Sequence, residues 1–493
     1  MSEPRPEVGA AGRAAGRAAK NTAVRAAAEL GGKFASLALL AVLAREQGPA
    51  GLGVFLFALA WCELSLTPVD MGFDRYFLRQ IAADDAALER LFANVVFLKL
   101  ARAVPVVAAS WLLVLATGQD EATRAAIFLL TAGLLFESLA YTVTSAFNAF
   151  ERGVLVATAL LTQRLLAAGL GITVLLAGHG VVAVATTYAT GAGVGLAVSL
   201  WLLATRIRWP GTSLSAGERR GLRSASFAYA TQDLFSIGIA RVDAVMIAAL
   251  AGKAVVGIYG AAYRMLEATL FISSALAGAF AAMFTYLDEH SDPPIRAVFE
   301  RAIKATLALL VPCGVALAVL AEPVLRASFG GGFEEGAPPL RVLAVVVVLL
   351  GVVRIAGSLV LSRGDPRAMA RLFGIALAVN IALNALLIPP LEATGAALAM
   401  LATELLIAAG VLRLAARAVG RLGLRETAVA PLAAGAAMTA AAWPLRDELV
   451  AGLTGGMAAY VVVFVAVERL VNPDDLSYLV RLVRARLPSR EAA

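Results

Sequence analysis

Apolar runs of 18 residues or more recur from one end of this chain to the other. A hydrocarbon core of about 30 Å takes roughly 20 helical residues to cross, so each run is long enough to span a bilayer. Hydropathy and breaker residues predict about fourteen helical spans: 24–46, 49–73, 91–117, 123–147, 154–178, 180–205, 222–250, 254–287, 298–321, 339–362, 367–389, 393–416, 427–445 and 449–470. The longest polar interval is about twenty residues, which leaves no room for a soluble domain. The expected fold class is an all-α integral membrane protein. Composition agrees. Only 16% of residues are charged, against roughly 25% in soluble proteins, and the mean hydropathy is +0.81. Abundant Ala and 44 Gly suit close helix–helix approach in lipid.

The net charge of +7 points to topology rather than to nucleic acid. With the N-terminus inside, the cytoplasmic segments after it hold sixteen Arg: 206, 208, 219, 220 and 223; 363, 367 and 371; 413, 417, 421 and 425; 481, 484, 486 and 490. The opposite face holds about six basic residues, namely Arg45, Arg124, Lys253, Arg326, Arg341 and Arg446. The positive-inside rule then places both termini in the cytoplasm and makes the span count even. Residues 1–23 read as a disordered basic tail without the features of a removable signal, and 471–493 as a second basic tail. Cys62 and Cys313 fall inside apolar spans, where free thiols rather than a disulfide are expected. No metal site, cofactor site or nucleotide-binding P-loop is expected, so transport energy has to come from gradients, membrane potential or substrate supply.

A shift of 204 positions lays residues 29–63 on 233–267 without a gap. Gly48 falls on Gly252, Gly53 on Gly257, Ala50 on Ala254 and Phe55 on Tyr259, while Glu29 meets Asp233 and Glu63 meets Glu267. Six spans separate the copies, so both run in the same direction, as in parallel-repeat transporters. The implied organisation is a six-helix bundle at 24–205, a cytoplasmic linker at 206–221, a second six-helix bundle at 222–416 and two further helices at 417–470. Pro105 and Pro312 are expected to kink their spans. Gly191 and Gly195 form a small-xxx-small packing face, and Asn380 and Asn384 are spaced to bond across helices.

Ionisable residues lie inside these spans: Lys33, Lys99, Arg102, Arg164, Arg241, Arg264 and Arg354, with Glu29, Glu63, Glu137, Asp233, Asp243, Glu267 and Glu404. A charge at the bilayer centre costs about 2.5–3.5 kcal/mol even on the lenient scale. These groups must face one another or water. Helical spacing allows Glu29–Lys33 (i,i+4) and Arg264–Glu267 (i,i+3) pairs, and it puts Lys99 and Arg102 on one face as like charges. Two readings follow. Either the charges tie helices together as ion pairs, or Lys33, Lys99, Arg102, Arg164, Arg241 and Arg264 line a hydrated, net-basic cavity between the bundles. In the second reading Glu29, Glu63, Asp233, Asp243 and Glu267 serve as coupling or ion-pair groups.

Four segments bear a family resemblance: "LAREQGPAGLGVF…LTPVDMGFDRYFLRQIA", "RVDAVMIAALAGKAVVGIYGAAYRMLE", "FGGGFEEGAPPLRVLA" and "NIALNALLIPPLEATGAALAMLATELL". They resemble the polysaccharide-transporter branch of the multidrug/oligosaccharidyl-lipid/polysaccharide exporter superfamily, the bacterial lipid-linked oligosaccharide flippases. The resemblance implies two pseudo-symmetric six-helix bundles forming a V, with two extra C-terminal helices. It also implies translocation of an undecaprenyl-diphosphate-linked repeat unit to the outer leaflet, for O-antigen, capsule or exopolysaccharide. The implied setting is the bacterial cytoplasmic membrane, with a polysaccharide polymerase or glycosyltransferases as partners. Flipping makes and breaks no covalent bond, so no enzyme is expected. The rivals are a cation-coupled multidrug antiporter of the same superfamily, which calls for an acid-dominated cavity, and a non-transporting envelope-assembly scaffold. An integral glycosyltransferase or polymerase finds little room in the short external loops.

Overall fold

The computed structural model describes residues 6–70, 72–287, 291, 294–363, 366–420 and 423–472, and among these the regular structure is helical throughout. Side chains are described for all of these except 6–20, 22–23, 227–233, 282 and 424. The C-terminal tail from 473 onward lies outside the described residues.

The first seven helices are α1 (Pro6–Asp70), α2 (Phe73–Ala83), α3 (Ala87–Ala116), α4 (Glu121–Ala149), α5 (Gly153–Leu176), α6 (Val181–Arg206) and α7 (Ala216–Leu250). They are followed by α8 (Lys253–Tyr286), α9 (Ile295–Val319), α10 (Ala321–Phe329), α11 (Ala337–Ser362), α12 (Pro366–Val419), α13 (Leu424–Ala442) and α14 (Leu449–Val471). Helix α1 begins at Pro6, where a disordered tail was expected. Six Ala, two Arg and one Lys in the run "GAAGRAAGRAAK" are strong helix formers and favour a helix here against its three Gly.

Eleven described helices are long and apolar enough to cross a membrane. That count does not reach the expected fourteen, and three stretches account for the difference. The stretches Val24–Asp70 and Pro366–Val419, 47 and 54 residues long, each contain a break and extend about 70–80 Å, enough to cross twice. Helix α7 carries too many charges to qualify by hydropathy. The breaks fall at Gly48, with φ of 64°, and at Glu392, with φ of 48°. Helices α3 and α9 continue through Pro105 and Pro312, so the prolines expected to kink them do not interrupt them.

The chain forms two compact units. The first takes its described residues from Met1–Gly260, Phe329–Gly332 and Ile381–Ala393. Its core gathers Phe73, Phe77 and Ile81 of α2 against Leu88, Leu91, Val95 and Leu98 of α3, Phe147 of α4 and Leu203 of α6. Gly191 and Gly195 let α6 approach α5: a Cβ on either would lie 2.8 Å from Ala167 or Gln163. The linker 206–221 was expected to assign α7 to the second bundle, yet α7 packs along α1 and belongs to this first unit.

The first unit also holds the meeting point of the sequence repeat. Gly48 and Gly252 both break the helix with positive φ, 64° and 94°. Five residues on, a Cβ on Gly53 would fall 1.7 Å from the Lys253 carbonyl oxygen, and one on Gly257 would fall 2.0 Å from that of Pro49. The 204-residue shift carries Pro49 to Lys253 and Gly53 to Gly257, so it interchanges the two contacts. The two copies thus touch through equivalent atoms, as a local two-fold requires.

The second unit takes its described residues from Ala261–Ser328, Phe333–Asn380 and Thr394–Ala493. Helix α9 is central: it packs on α11, α13 and α14. The two C-terminal helices are tied in by a buried pair, Lys304 on α9 with Glu468 on α14 at 2.9 Å, and by the Tyr460 hydroxyl, which donates to the Ala308 carbonyl at 2.9 Å. Asn380 Nδ2 donates to Thr403 Oγ1 at 3.2 Å, joining the two segments of the broken α12. Cys62 and Cys313 are free thiols.

Candidate functional site: a charged cavity in the first unit

Glu63, Thr67 and Asp70 recur at i, i+4 and i+7 and therefore share one face of α1. They face Glu137, Ser138 and Tyr141 of α4 and Ser236, Ala240 and Arg241 of α7 around a cavity of about 420 Å³. Leu66, Val69, Leu134, Leu135 and Ile237 complete the lining. Among ligand-binding cavities this is a modest size. Two of its three walls, α1 and α4, are long and apolar enough to span a membrane, which is what gives its charges weight.

Each cavity carboxylate meets a cation inside the unit. The Arg241 guanidinium donates to Glu63, and both side chains stay partly exposed at 21% and 26%. Glu137 accepts a hydrogen bond from the Tyr188 hydroxyl at 2.7 Å and lies 3.9 Å from Arg164. Arg164 also reaches Ser36 at 3.4 Å. Asp70 binds Lys99 at 2.8 Å and accepts from Ser138 at 2.5 Å.

Lys99 itself does not line the cavity, contrary to expectation. It is 1% exposed and caged behind the wall. Its ammonium donates to Asp74 at 2.7 Å, to the Ser138 carbonyl at 3.0 Å and to the Ser138 hydroxyl at 3.2 Å, while Asp74 also accepts from Thr142 at 2.8 Å. Asp70 and Asp74 are the anions that resolve the predicted like-charge conflict at Lys99. Arg102 leaves that cluster: its guanidinium lies 4.5 Å above the Phe73 ring.

The remaining expected residues separate into different places. Glu29 pairs with Arg25 at 3.1 Å rather than with Lys33, since Arg25 is equally spaced on the other side; Lys33 is exposed. Asp243 is 2% exposed and accepts hydrogen bonds from Asn384 at 2.6 Å and Tyr259 at 2.9 Å. Arg264 and Glu267 form their expected i,i+3 pair in the second unit. The Asp233 side chain lies outside the described residues. Of the expected site residues, then, the cavity wall brings together Glu63 and Arg241, with Arg164 and Lys99 behind it. The lining carries three carboxylates, Glu63, Asp70 and Glu137, against one cation, Arg241, so it is acid-rich rather than net-basic, and Arg164 and Lys99 offset it only from behind. Composition counts charges along a helix without their azimuth, and Asp70 and Asp74, at i,i+4 beside the end of a span, were the signal overlooked.

One charged group outside the membrane-spanning segments is also defined. Asp120 caps α4 by accepting from Thr123 N at 2.9 Å and Thr123 Oγ1 at 2.8 Å, and it pairs with Lys253. Partial burial alone would raise its carboxyl, but the Lys253 and Thr123 hydrogen bonds more than reverse this and hold it at about 2.

Long apolar helices around a charged interior define a multi-pass membrane protein of transporter fold. The chain belongs to the polysaccharide biosynthesis protein family, whose model matches residues 42–338, within the exporter superfamily named above. A second family model, described as lipid II flippase MurJ, matches 232–463. Neither describes an enzyme. The probable low-salt glycan biosynthesis flippase Agl15 of Haloferax volcanii is 26% identical over 158 residues. That match covers 32% of this chain and 34% of the relative, about a third of the relative's length. Among solved structures, lipid II flippase MurJ in an inward closed conformation superposes with a TM-score of 0.73 at 12% identity, covering 92% of this chain and 99% of that one. An inward-facing multidrug resistance MATE family transporter superposes at 0.60 and 16% identity, covering 78% and 95%. These likenesses establish the fold.

Proposed function

We propose that the protein is a flippase that carries undecaprenyl-diphosphate-linked oligosaccharide units from the inner to the outer leaflet of the bacterial cytoplasmic membrane. Its product would feed O-antigen, capsule or exopolysaccharide assembly, with a polymerase or glycosyltransferases as partners and both termini in the cytoplasm. Family membership supports this, as do the second family model, described as lipid II flippase, and the glycan biosynthesis flippase Agl15. The observation that carries it is the partly exposed Arg241–Glu63 pair on a cavity walled by the membrane-length helices α1 and α4 together with α7.

That pair is built for exchange. A partly buried guanidinium paired with a carboxylate is satisfied at rest, and an arriving diphosphate offers its planar fork a better bidentate acceptor. The headgroup takes Arg241 from Glu63, and the freed carboxylate, partly exposed on the cavity wall, turns to water. Arg164, partly exposed beside Glu137, is the second cation within reach of a cargo. Lys99 acts here as a positioning residue that fixes Asp70, while Arg264, Arg102 and Lys33 remain candidates for contacts elsewhere on the path. An inside-negative potential favours outward movement of each negative charge by about 2.3 kcal/mol per 100 mV.

The test uses full-length protein in vesicles with a fluorescent short-chain polyprenyl-diphosphate sugar. Arg241→Glu is expected to abolish translocation and, in cells, surface-glycan display, at normal membrane levels. The paired exchange Arg241→Glu with Glu63→Arg is expected to recover part of it. Full translocation by Arg241→Glu alone refutes the assignment. A second reading, the cation-coupled multidrug antiporter, draws on the three carboxylates of the wall. It predicts pH-driven efflux of cationic dyes, lost on Glu63→Gln, and no movement of the diphosphate lipid.

A further inference from the structure

Glu404 lies in α12, within a stretch apolar enough to span the membrane, and is 4% exposed. One of its carboxyl oxygens, Oε2, is buried and accepts no hydrogen bond. No ion pair closes on it among the described residues. The nearby cation is Arg354 on α11, whose charge reaches Glu404 through space while its guanidinium donates to the Ser274 hydroxyl on α8. Tyr263 on α8 is the other titratable group that acts on Arg354. Elsewhere in this unit Arg264 pairs with Glu267 and Lys304 with Glu468, and Arg363, nine residues after Arg354, donates to the Leu287 carbonyl. Beside Glu404 in the chain, Thr403 is occupied by Asn380 and by the Ala399 carbonyl.

A carboxylate without a donor in an apolar interior is the costliest form this side chain can take, and a carboxylic acid is much the cheaper. We propose that Glu404 is a proton-binding site of the second unit. It holds a proton while Arg354 is engaged by Ser274, and releases that proton to water when Arg354 leaves Ser274 and closes on the carboxylate. The site then passes from a net charge of +1, acid plus guanidinium, to neutral, carboxylate plus guanidinium, with one proton given up. The two arrangements differ by one side-chain movement, so protonation and conformation are linked. Proton binding stands independently of the cargo. Its use as the coupling step of translocation rests on the flippase reading.

Infrared spectroscopy of the full chain in lipid nanodiscs tests the binding. The expected result is a protonated-carboxyl stretch at neutral pH in the wild type that is missing from Glu404→Gln, a near-isosteric variant whose folding is checked by circular dichroism. In Arg354→Gln the same band should persist to higher pH than in the wild type, because the cation that stabilises the carboxylate is gone. A wild-type spectrum without a band assignable to Glu404 overturns the proposal, as does a band whose pH dependence ignores Arg354→Gln. In vesicles carrying the polyprenyl-diphosphate probe, an imposed pH gradient should change wild-type translocation, by up to about tenfold in accumulation ratio per pH unit for one proton per cargo, and leave Glu404→Gln unchanged. A gradient response shared equally by both overturns the coupling role. No translocation by any variant, with the infrared result intact, overturns the flippase reading instead.

Discussion

Lys99 separates a structural charge from a functional one. In the structure its ammonium is 1% exposed and bonded to Asp70, Asp74 and twice to Ser138. Replacing it with the apolar, similarly long Met removes all four contacts. Asp70, whose side chain is 47% exposed, returns largely to water. Asp74 cannot, because its side chain is 7% exposed and keeps only the Thr142 hydroxyl among its present partners. Breaking a buried pair from one side typically costs 3–5 kcal/mol, since the remaining charge is uncompensated. Lys99→Met should therefore lose about that much stability, a factor of roughly 10² to 10³ or more in the folded-to-unfolded ratio. Adding Asp74→Asn removes the stranded charge while keeping an acceptor for Thr142, and should restore most of the loss. Chemical unfolding in detergent micelles, followed by tryptophan fluorescence, reads both. If Lys99→Met were as stable as the wild type to within about 1 kcal/mol and yet failed to export glycan, the cage would be wrong and Lys99 would belong to the cargo path.

Two further results follow from local geometry. Gly53→Val or Gly257→Val puts side-chain atoms where a Cβ already falls within 2.0 Å of a backbone carbonyl. Either should force the two repeat copies apart and destabilise the protein by about 1–3 kcal/mol, measured as a lower unfolding midpoint, whereas Gly169→Val, with nothing within 4 Å, should change little. Asp120 is held at about 2, below its ordinary 3.8, so the stability it adds is present above about pH 4 and is lost as pH falls towards 2. Asp120→Asn keeps an N-cap oxygen for Thr123 but removes the charge, and should flatten that acid limb of the stability profile; an unchanged acid limb refutes the Lys253 pairing.

The architecture was legible where it rests on periodicity and on exact spacing. Span length follows from bilayer thickness, so the apolar runs predicted most of the helices. The 204-residue offset foretold equivalent glycines, and the structure finds those glycines in reciprocal contact. The Arg264–Glu267 pair was legible because i,i+3 geometry is internal to one helix. Partners on other helices were not. The pairing of Glu63 with Arg241 spans 178 positions, and that of Asp243 with Asn384 spans 141. Nothing in a single sequence carries the rotation of one helix against another. Azimuth also decided the charge of the cavity: six basic residues in spans suggested a positive chamber, but Lys99 lies behind the wall, where Asp70 and Asp74 more than offset it. Glu404 illustrates the converse, an acid whose isolation becomes visible only once its surroundings are known.

The repeat makes the divergence of its two copies interpretable residue by residue. Glu267 in the second copy has Arg264 three residues before it and is satisfied within its own helix. The equivalent of Arg264 in the first copy is Ala60, so Glu63 has no local cation and takes Arg241 from α7 across the cavity. Arg241 in turn corresponds to Leu37, so the cross-helix pair has no counterpart in the other copy. Likewise Tyr259 donates to Asp243 where the first copy has buried Phe55 and Leu39, a polar pair replacing an apolar one at the same two positions. In lipid an acid must be paired wherever it stands, so losing a local partner forces the pairing onto another helix. A pair within one helix is indifferent to how helices move, whereas a pair between helices is made or broken by their movement. The two copies therefore differ in one respect: Glu267 is paired within its helix, and Glu63 is paired between helices.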